Sequence, residues 1–229
     1  DPNAPYLPAE KRELTIAAWS LGKNGQLLWQ HAIFGERRPA WRVVSPDFHW
    51  PVVEDLDADG RTEVVVPNRT MNSRRLRFVP EIELLDGATG KSRWRRGLKN
   101  MDGQFDLFVA GPDVNGDGIR EVFAAALVGE KFDLFVDALS GKDGKTLWWS
   151  QHAGERESFL ERMDWWHAGG DGWPQLIIST IPGQRDSKLP QLYQLSAATG
   201  QLANRMSGID AFDFADADFD GLSDLFTFQ

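Results

Sequence analysis

A nine-residue acidic loop occurs three times in this chain, each time directly before an apolar run, and that repetition restricts the fold more than any other feature. Asp113 to Glu121 reads DVNGDGIRE and is followed by the apolar run from Val122 to Val128. Oxygen-bearing side chains hold positions 1, 3 and 5 (Asp113, Asn115, Asp117), a glycine holds position 6 (Gly118), and a carboxylate holds position 9 (Glu121). The copies are DLDADGRTE, with Asp55, Asp57, Asp59, Gly60 and Glu63, and DADFDGLSD, with Asp216, Asp218, Asp220, Gly221 and Asp224. A fourth stretch, HAGGDGWPQ from His167 to Gln175, keeps only Asp171 and Gly172 of the pattern. Hard cations take six to eight oxygens at roughly 2.3–2.6 Å, and a short loop wraps one when alternate side chains turn inward and a glycine permits the bend. Position 7 (Arg61, Ile119, Leu222) would add a backbone carbonyl. The sequence therefore predicts up to three Ca²⁺ sites, against the plainer reading of metal-free acidic turns, in which Asp, Asn and Gly are common anyway.

An EF-hand starts with the same spacing, but it requires a bidentate Glu at position 12 and a helix after the loop. Position 12 here is Val66, Ala124 and Thr227, and the segments that follow (TEVVVP, EVFAAAL, SDLFTF) are β-branched and aromatic, the composition of strands. The loops are thus expected between β-strands.

A second element alternates with the first. GKNGQLLW, GATGKSRW, GKDGKTLW and AATGQLAN each follow an apolar segment and lead into another, which reads as a hairpin turn. Trp29, Trp94 and Trp148 each lie four residues after a turn glycine (Gly25, Gly90, Gly144), and the fourth copy has Asn204 after Gly200. Turn glycines 25, 90, 144 and 200 lie 65, 54 and 56 residues apart; loop glycines 60, 118, 172 and 221 lie 58, 54 and 49 apart. A period of about 55 residues suits a four-stranded propeller blade. The predicted fold is all-β: a single β-propeller domain over residues 1–229, with four blades of four-stranded antiparallel sheet. Approximate repeats run 31–98, 99–150 and 151–205, and a last blade combines 206–229 with 11–30, closing the ring with strands from both termini. The alternative is four blades of a larger propeller. Only 157–166, ESFLERMDWW, suggests a helical turn.

Charge and composition limit the partners. With 34 acidic and 25 basic side chains the net charge is −9, which argues against nucleic acid, and no apolar run approaches the ~20 residues of a membrane span. The first residues, DPNAPYLPAE, do not read as a signal peptide. Without cysteine, disulfides and thiolate metal sites are excluded. Loops with affinities near 10⁻⁴–10⁻³ M would stay empty in a cytosol, so an exported protein, extracellular, cell-surface or periplasmic, is expected. A monomer is expected over an oligomer.

FVAGPDVNGDGIREVFAAA resembles the FG-GAP and VCBS-type calcium repeats of integrin alpha-chain propellers and bacterial surface proteins, while LDGATGKSRW and LSGKDGKTLWW resemble blades of PQQ-like, quinoprotein-like propellers. The resemblance covers nearly all of residues 13–229. It implies calcium loops joining the first two strands of each blade on one face, a Trp packed between blades, and ligands on the opposite face. Three functions follow as expectations: a non-catalytic calcium-stabilised module binding a protein or glycan, a lectin-like propeller, or the propeller of a polysaccharide lyase or other enzyme. The quinoprotein activity needs a vicinal cysteine pair, which is absent. His31, His49, His152 and His167 form no metal pair, so no catalytic residue is assigned. Trp41, Trp50, Arg74, Arg75 and Arg77 are candidates for the ligand face. Arg69, Arg93, Arg95 and Arg96 extend a basic cluster in repeat one that would suit an anionic partner.

Overall fold

The computed structural model describes residues 13–20, 25–34, 51–72, 77–98, 107–154, 158–167, 174–182, 189–217 and 223–228. Among these residues the regular structure is strand, and no helix is long and apolar enough to cross a membrane. Three four-stranded antiparallel sheets follow one another along the chain. Blade 1 is β3 (Val52–Glu54), β4 (Glu63–Asn72), β5 (Arg77–Asp86) and β6 (Ser92–Gly97), paired in that order. Blade 2 is β7 (Leu107–Ala110), β8 (Val122–Val128), β9 (Asp133–Leu139) and β10 (Thr146–His152); blade 3 is β11 (Ser158–Trp166), β12 (Gln175–Pro182), β13 (Gln191–Ser196) and β14 (Leu202–Ser207). Hairpins β1 (Glu13–Ser20)–β2 (Gln26–Phe34) and β15 (Ala211–Ala215)–β16 (Asp224–Phe228) flank them. The acidic loops join first to second strands, and the glycine turns join third to fourth, as the repeat pattern predicts.

The apolar run of β8 shows how the blades pack. A strand buried on both faces has no need to alternate apolar and polar residues. Val122, Ala124 and Ala126 enter one core with Leu56, Val65, Ile82 and Leu84 of blade 1, whereas Phe123 and Ala125 enter another with Leu176, Ile178 and Tyr193 of blade 3. Alternate side chains of one strand therefore serve two blade interfaces. The three consecutive alanines at the centre of β8 are fully buried, which lets neighbouring sheets approach closely.

Tryptophan fastens each interface. Trp29 Nε1 donates to Gly87 O (2.8 Å), Trp94 Nε1 to Gly141 O (2.7 Å) and Trp148 Nε1 to Ala197 O (2.9 Å), each reaching the turn of the next blade. Each ring also covers the turn glycine there: a methyl group added at Gly90, Gly144 or Gly200 would lie 2.5, 2.7 or 2.6 Å from the ring of Trp29, Trp94 or Trp148. Each of these glycines also has positive φ. The glycine thus serves twice, as a left-handed turn residue and as the floor of its neighbour's Trp.

One departure from the sequence reading is clear. Residues 158–166 of the stretch expected as a helical turn form a strand instead: Ser158 to Trp166 pair with β12 from Ser158↔Pro182 to Trp166↔Gln175, and a bulge between Leu160 and Arg162 breaks the alternation that would have identified a strand. The expected last blade is present as two hairpins, and among the described residues β1–β2 and β15–β16 share no hydrogen-bond ladder. Hairpin β1–β2 packs Ile16, Trp29 and Ile33 on Val64, Val66 and Leu85 of blade 1. Hairpin β15–β16 packs Phe212 and Leu225 on Ile177 and Leu192 of blade 3, and Arg162 Nη1 donates to Phe212 O at 2.7 Å. At the junction that would close the ring Asn204 stands in place of the Trp and is exposed, and among the described residues nothing lies within 4 Å of a methyl group built on Gly25.

Candidate metal centre

The first two acidic loops adopt one hydrogen-bond scheme, dictated by their spacing. The position 1 carboxylate turns back over the loop and accepts from the position 6 glycine, Gly60 N to Asp55 Oδ2 at 2.9 Å and Gly118 N to Asp113 Oδ2 at 2.8 Å. Position 3 accepts from position 5, Asp59 N to Asp57 Oδ1 at 3.3 Å and Asp117 N to Asn115 Oδ1 at 2.8 Å. Position 5 accepts from position 7, Arg61 N to Asp59 Oδ1 at 2.8 Å and Ile119 N to Asp117 Oδ1 at 3.0 Å. The bend is made by Gly60 and Gly118 at φ +84° and +85°. Ala58, at position 4 of the first loop, also has positive φ where the second loop has Gly116.

Position 9 lies at the start of the next strand (Glu63, Asp224) or immediately before it (Glu121), and Glu63 and Glu121 are drawn underneath the loop. Glu63 is 1% exposed and Glu121 is 0% exposed. Glu63 Oε2 accepts from Leu56 N at 2.9 Å, and Glu121 Oε2 accepts from Gly141 N at 3.1 Å, tying the loop to the glycine turn of the same blade. In the third copy Asp224 Oδ2 accepts from Ala217 N at 3.0 Å. Asp218, Asp220 and Leu222 lie outside the described residues, as does most of the degenerate stretch, from 168 to 173. In the first loop, carboxylate oxygens of Asp55, Asp57 and Glu63 lie within 4.8 Å of one another.

Electrostatics separate the two loops. Burial, reinforced by the charges of Asp117 and Asp113, pushes Glu121 from 4.5 up to about 7, and its Oε1 has no hydrogen-bond partner. Burial also raises Glu63, opposed by the hydrogen bond from Leu56 N and by the Arg93 guanidinium, whose Nη2 lies 2.8 Å from Glu63 Oε1 and Nη1 3.0 Å from Asp57 Oδ2; Glu63 Oε1 likewise accepts no hydrogen bond. A buried carboxylate oxygen without a donor, among other acids, fits a divalent cation. The donor set is all oxygen, as Ca²⁺ prefers.

The candidate ligand face is less accessible to description. Trp41, Trp50, Arg74 and Arg75 lie outside the described residues, and of Arg77 only the backbone, at the start of β5, is described. The described arginines of the basic cluster face acids: Arg93 as above, Arg95 on Glu81, and Arg96 beside Asp137. Trp165 and Trp166 are half-buried at blade interfaces, Trp166 Nε1 donating to Ser223 O, whereas Trp149 is 54% exposed and stacked on Phe135 at 6.4 Å. Asn68 is 2% exposed and donates to Glu83 Oε2 at 2.7 Å, so it is a core residue.

One set of residues escapes sequence reasoning. Glu83 and Asp137, each 4% exposed, occupy the same site on the third strands of blades 1 and 2, seven residues before the turn glycine. Each faces a base six residues after the previous turn glycine: His31 Nε2 lies 3.3 Å from Glu83 Oε2, and the Arg96 charge acts on Asp137. The signal was periodic acid and base across neighbouring repeats, legible only once blade adjacency is known. Burial raises Glu83, but hydrogen bonds from Ser92, Asn68 and His31 outweigh it and bring the carboxyl below its ordinary value. Asp137 has weaker support, and burial pushes it from 3.8 up to about 6 against the Arg96 charge. A folded-state pKa above the unfolded one stabilises at low pH, and that contribution fades as pH rises through the folded value. Stability is thus expected to fall between about pH 4 and pH 6 on account of this group, and Asp137→Asn to gain on the order of 2 kcal/mol at pH 7 with a flatter profile. Urea unfolding across pH 4–8 checks it; an Asn variant weaker than the parent at pH 7 would show that pairing with Arg96 outweighs burial.

No family model matches the chain, and no curated protein matches it. Among solved structures, a crystal structure of the rhamnogalacturonan lyase YesW is similar over 77% of this chain and 39% of that one, at 18% identity and a TM-score of 0.50. The crystal structure of BamB from Moraxella catarrhalis is similar over 79% of this chain and 40% of that one, at 15% identity and a TM-score of 0.39. The chain spans about two-fifths of the length of each. Likeness at this identity speaks to fold alone, and with the consecutive four-stranded sheets it establishes an all-β protein of the β-propeller class.

Proposed function

We propose that this chain is a non-catalytic, calcium-binding β-propeller module in which Ca²⁺ has a structural role in the loops between first and second strands. The observation that carries the reading is Glu121: fully buried, raised to about 7 by burial and by the charges of Asp117 and Asp113, with Oε1 accepting no hydrogen bond. A divalent ion there would compensate a charge that burial otherwise penalises. Asp113, Asn115, Asp117 and Glu121 would hold it through side-chain oxygens and Ile119 through its carbonyl; Asp55, Asp57, Asp59, Glu63 and Arg61 would do the same in the first loop, and Asp216, Asp218, Asp220, Asp224 and Leu222 in the third. The ion would fix the corner of a blade, since Glu121 already accepts from Gly141 at the neighbouring turn.

The setting that suits such loops is outside the cytosol, where Ca²⁺ is abundant. The partner, a protein or a glycan, would meet the face opposite the loops. Thermal melts test the metal role. An ion that binds only the folded state stabilises by about 2.7 kcal/mol at one hundred times its dissociation constant. Millimolar Ca²⁺ is therefore expected to raise the melting temperature by several degrees over EDTA, and Mg²⁺ to raise it less. Equal melting temperatures in Ca²⁺ and EDTA would sink the reading.

A further inference from the structure

The loops differ in one respect that lies outside the loops themselves. Every glycine-turn hairpin carries a β-bulge at the same place, three residues after the turn glycine. The pairing skips Leu28 between Ala18↔Trp29 and Trp19↔Leu27, Arg93 between Leu84↔Trp94 and Leu85↔Ser92, and Leu147 between Thr146↔Leu139 and Trp148↔Ala138. In blade 3 it skips Ala203, between Gln194↔Asn204 and Leu195↔Leu202. A bulge re-aims the side chain of its extra residue. Leu28 and Leu147 are exposed at 56% and 38%, and only Arg93 is a cation. From this bulge Arg93 reaches the acidic loop of its own blade, with Nη1 3.0 Å from Asp57 Oδ2, and Nη2 2.8 Å from Glu63 Oε1 and 3.6 Å from Asp86 Oδ2.

The charge count explains what the arginine does there. The first loop has four carboxylates, Asp55, Asp57, Asp59 and Glu63, whereas the second has three, because Asn115 stands where the first has Asp57. Arg93 hydrogen-bonds the additional carboxylate and holds its other nitrogen 2.8 Å from Glu63 Oε1 as an ion pair; Glu63 Oε1 and its counterpart Glu121 Oε1 both accept no hydrogen bond, and only the former has a guanidinium beside it. A guanidinium presents two parallel N–H groups to oxygens in this way, whereas a metal would collect the same oxygens at a point.

We propose that Arg93 is a built-in counter-cation of the 55–63 loop, which competes with metal for Asp57 and Glu63 and makes the loops unequal. The inference rests on the calcium reading above. The 55–63 loop is held together by Arg93 in the absence of metal and takes Ca²⁺ weakly; the 113–121 loop has no such cation among the described residues and takes Ca²⁺ more tightly. Blade 1 then keeps its corner when Ca²⁺ is scarce, and blade 2 depends on the ion.

Calorimetric titration of Ca²⁺ into the parent protein, R93Q and R93K tests this. R93Q is expected to tighten one class of sites about tenfold or more, the effect of removing a charge-assisted competitor. R93K, which keeps the charge without the fork, falls between. R93Q also melts lower than the parent in EDTA and regains the difference in Ca²⁺, which the loss of a mere surface ion pair would not produce. The converse variant, L147R, puts a cation at the corresponding bulge of blade 2 and is expected to weaken the tightest class. An R93Q isotherm that superposes on the parent's overturns the proposal. Should R93Q fail to fold, an unchanged tight class in L147R does so instead. No Ca²⁺ binding by the parent overturns the calcium reading itself, a result distinct from binding that ignores Arg93.

Discussion

Trp94→Ala is expected to destabilise the protein by about 3–5 kcal/mol, the range for truncating a large buried aromatic side chain. Trp94 is 9% exposed, packs in the core shared by blades 1 and 2, and donates from Nε1 to Gly141 O at 2.7 Å. Its loss opens a cavity at a blade interface and leaves the carbonyl of the next turn without its donor. For a chain of this size the melting temperature should drop by roughly 6–20 °C. Trp94→Phe keeps most of the ring volume, loses the N–H, and is expected to cost about 1–2 kcal/mol. The same interface can be struck from its other side. At Gly144, φ is +68° and an added methyl group would lie 2.7 Å from the Trp94 ring, so Gly144→Ala combines backbone strain with a clash. Gly25 has a similar φ of +72° but open space around it. Its alanine variant should show only the cost of a non-glycine residue at positive φ, about 1–2 kcal/mol. Chemical denaturation of the four variants checks the ranking. Gly25→Ala and Gly144→Ala of equal stability would show that the tryptophan lock contributes little.

Glu121→Gln is expected to act in opposite directions with and without calcium. In EDTA at pH 8 the parent holds a buried carboxylate that burial and two neighbouring acids push from 4.5 up to about 7. Because the folded-state value lies above the unfolded one, the group costs nothing at low pH. Its penalty grows as pH rises through 4.5 to about 7 and is complete above that. An uncharged amide of the same shape removes the penalty, and its carbonyl oxygen still accepts from Gly141 N. The variant should then be more stable than the parent in EDTA, by on the order of 2–3 kcal/mol. In millimolar Ca²⁺ the order reverses, since the parent gains the binding free energy and the variant has lost a charged ligand. Paired melts at pH 8 in EDTA and in Ca²⁺ read both halves. A variant that loses stability equally in both conditions would mean that Glu121 serves only as a hydrogen-bond acceptor for the glycine turn.

Most of the fold was legible because its signals are local. The acidic loops, the strands after them and the glycine turns each declare themselves within ten residues, and their regular spacing indicated blades. Where a local signal was blurred, the reading failed. Ser158 to Trp166 carries a bulge at Leu160–Arg162 that shifts its apolar residues out of strict alternation, and ESFLERMDWW then resembles a helical turn. The candidate metal residues were legible for the same reason as the loops, since positions 1, 3, 5 and 9 fall within a single turn of chain.

Other properties depended on which blade lies beside which. Sequence spacing places Trp94 after its own turn but does not indicate that it covers Gly144 of the next repeat. The sequence shows a basic cluster in repeat one but not what its members meet; β6 directs Arg93 and Arg95 at acids of their own blade and sets Arg96 beside Asp137 of the next. Glu83 and Asp137 were unremarkable acids in apolar strands until the neighbouring blade supplied His31 and the Arg96 charge.

The sequence alone determined the type of strand, the corner chemistry and the period, because turn residues and loop ligands act over a few bonds. Tertiary structure decided which charges are neutralised and which are not, because burial and ion pairing are set by groups tens of residues away. It is in this second category that the two loops diverge: Glu63 and Glu121 are each buried with one oxygen that accepts no hydrogen bond, but only Glu63 has a guanidinium, that of Arg93, beside it.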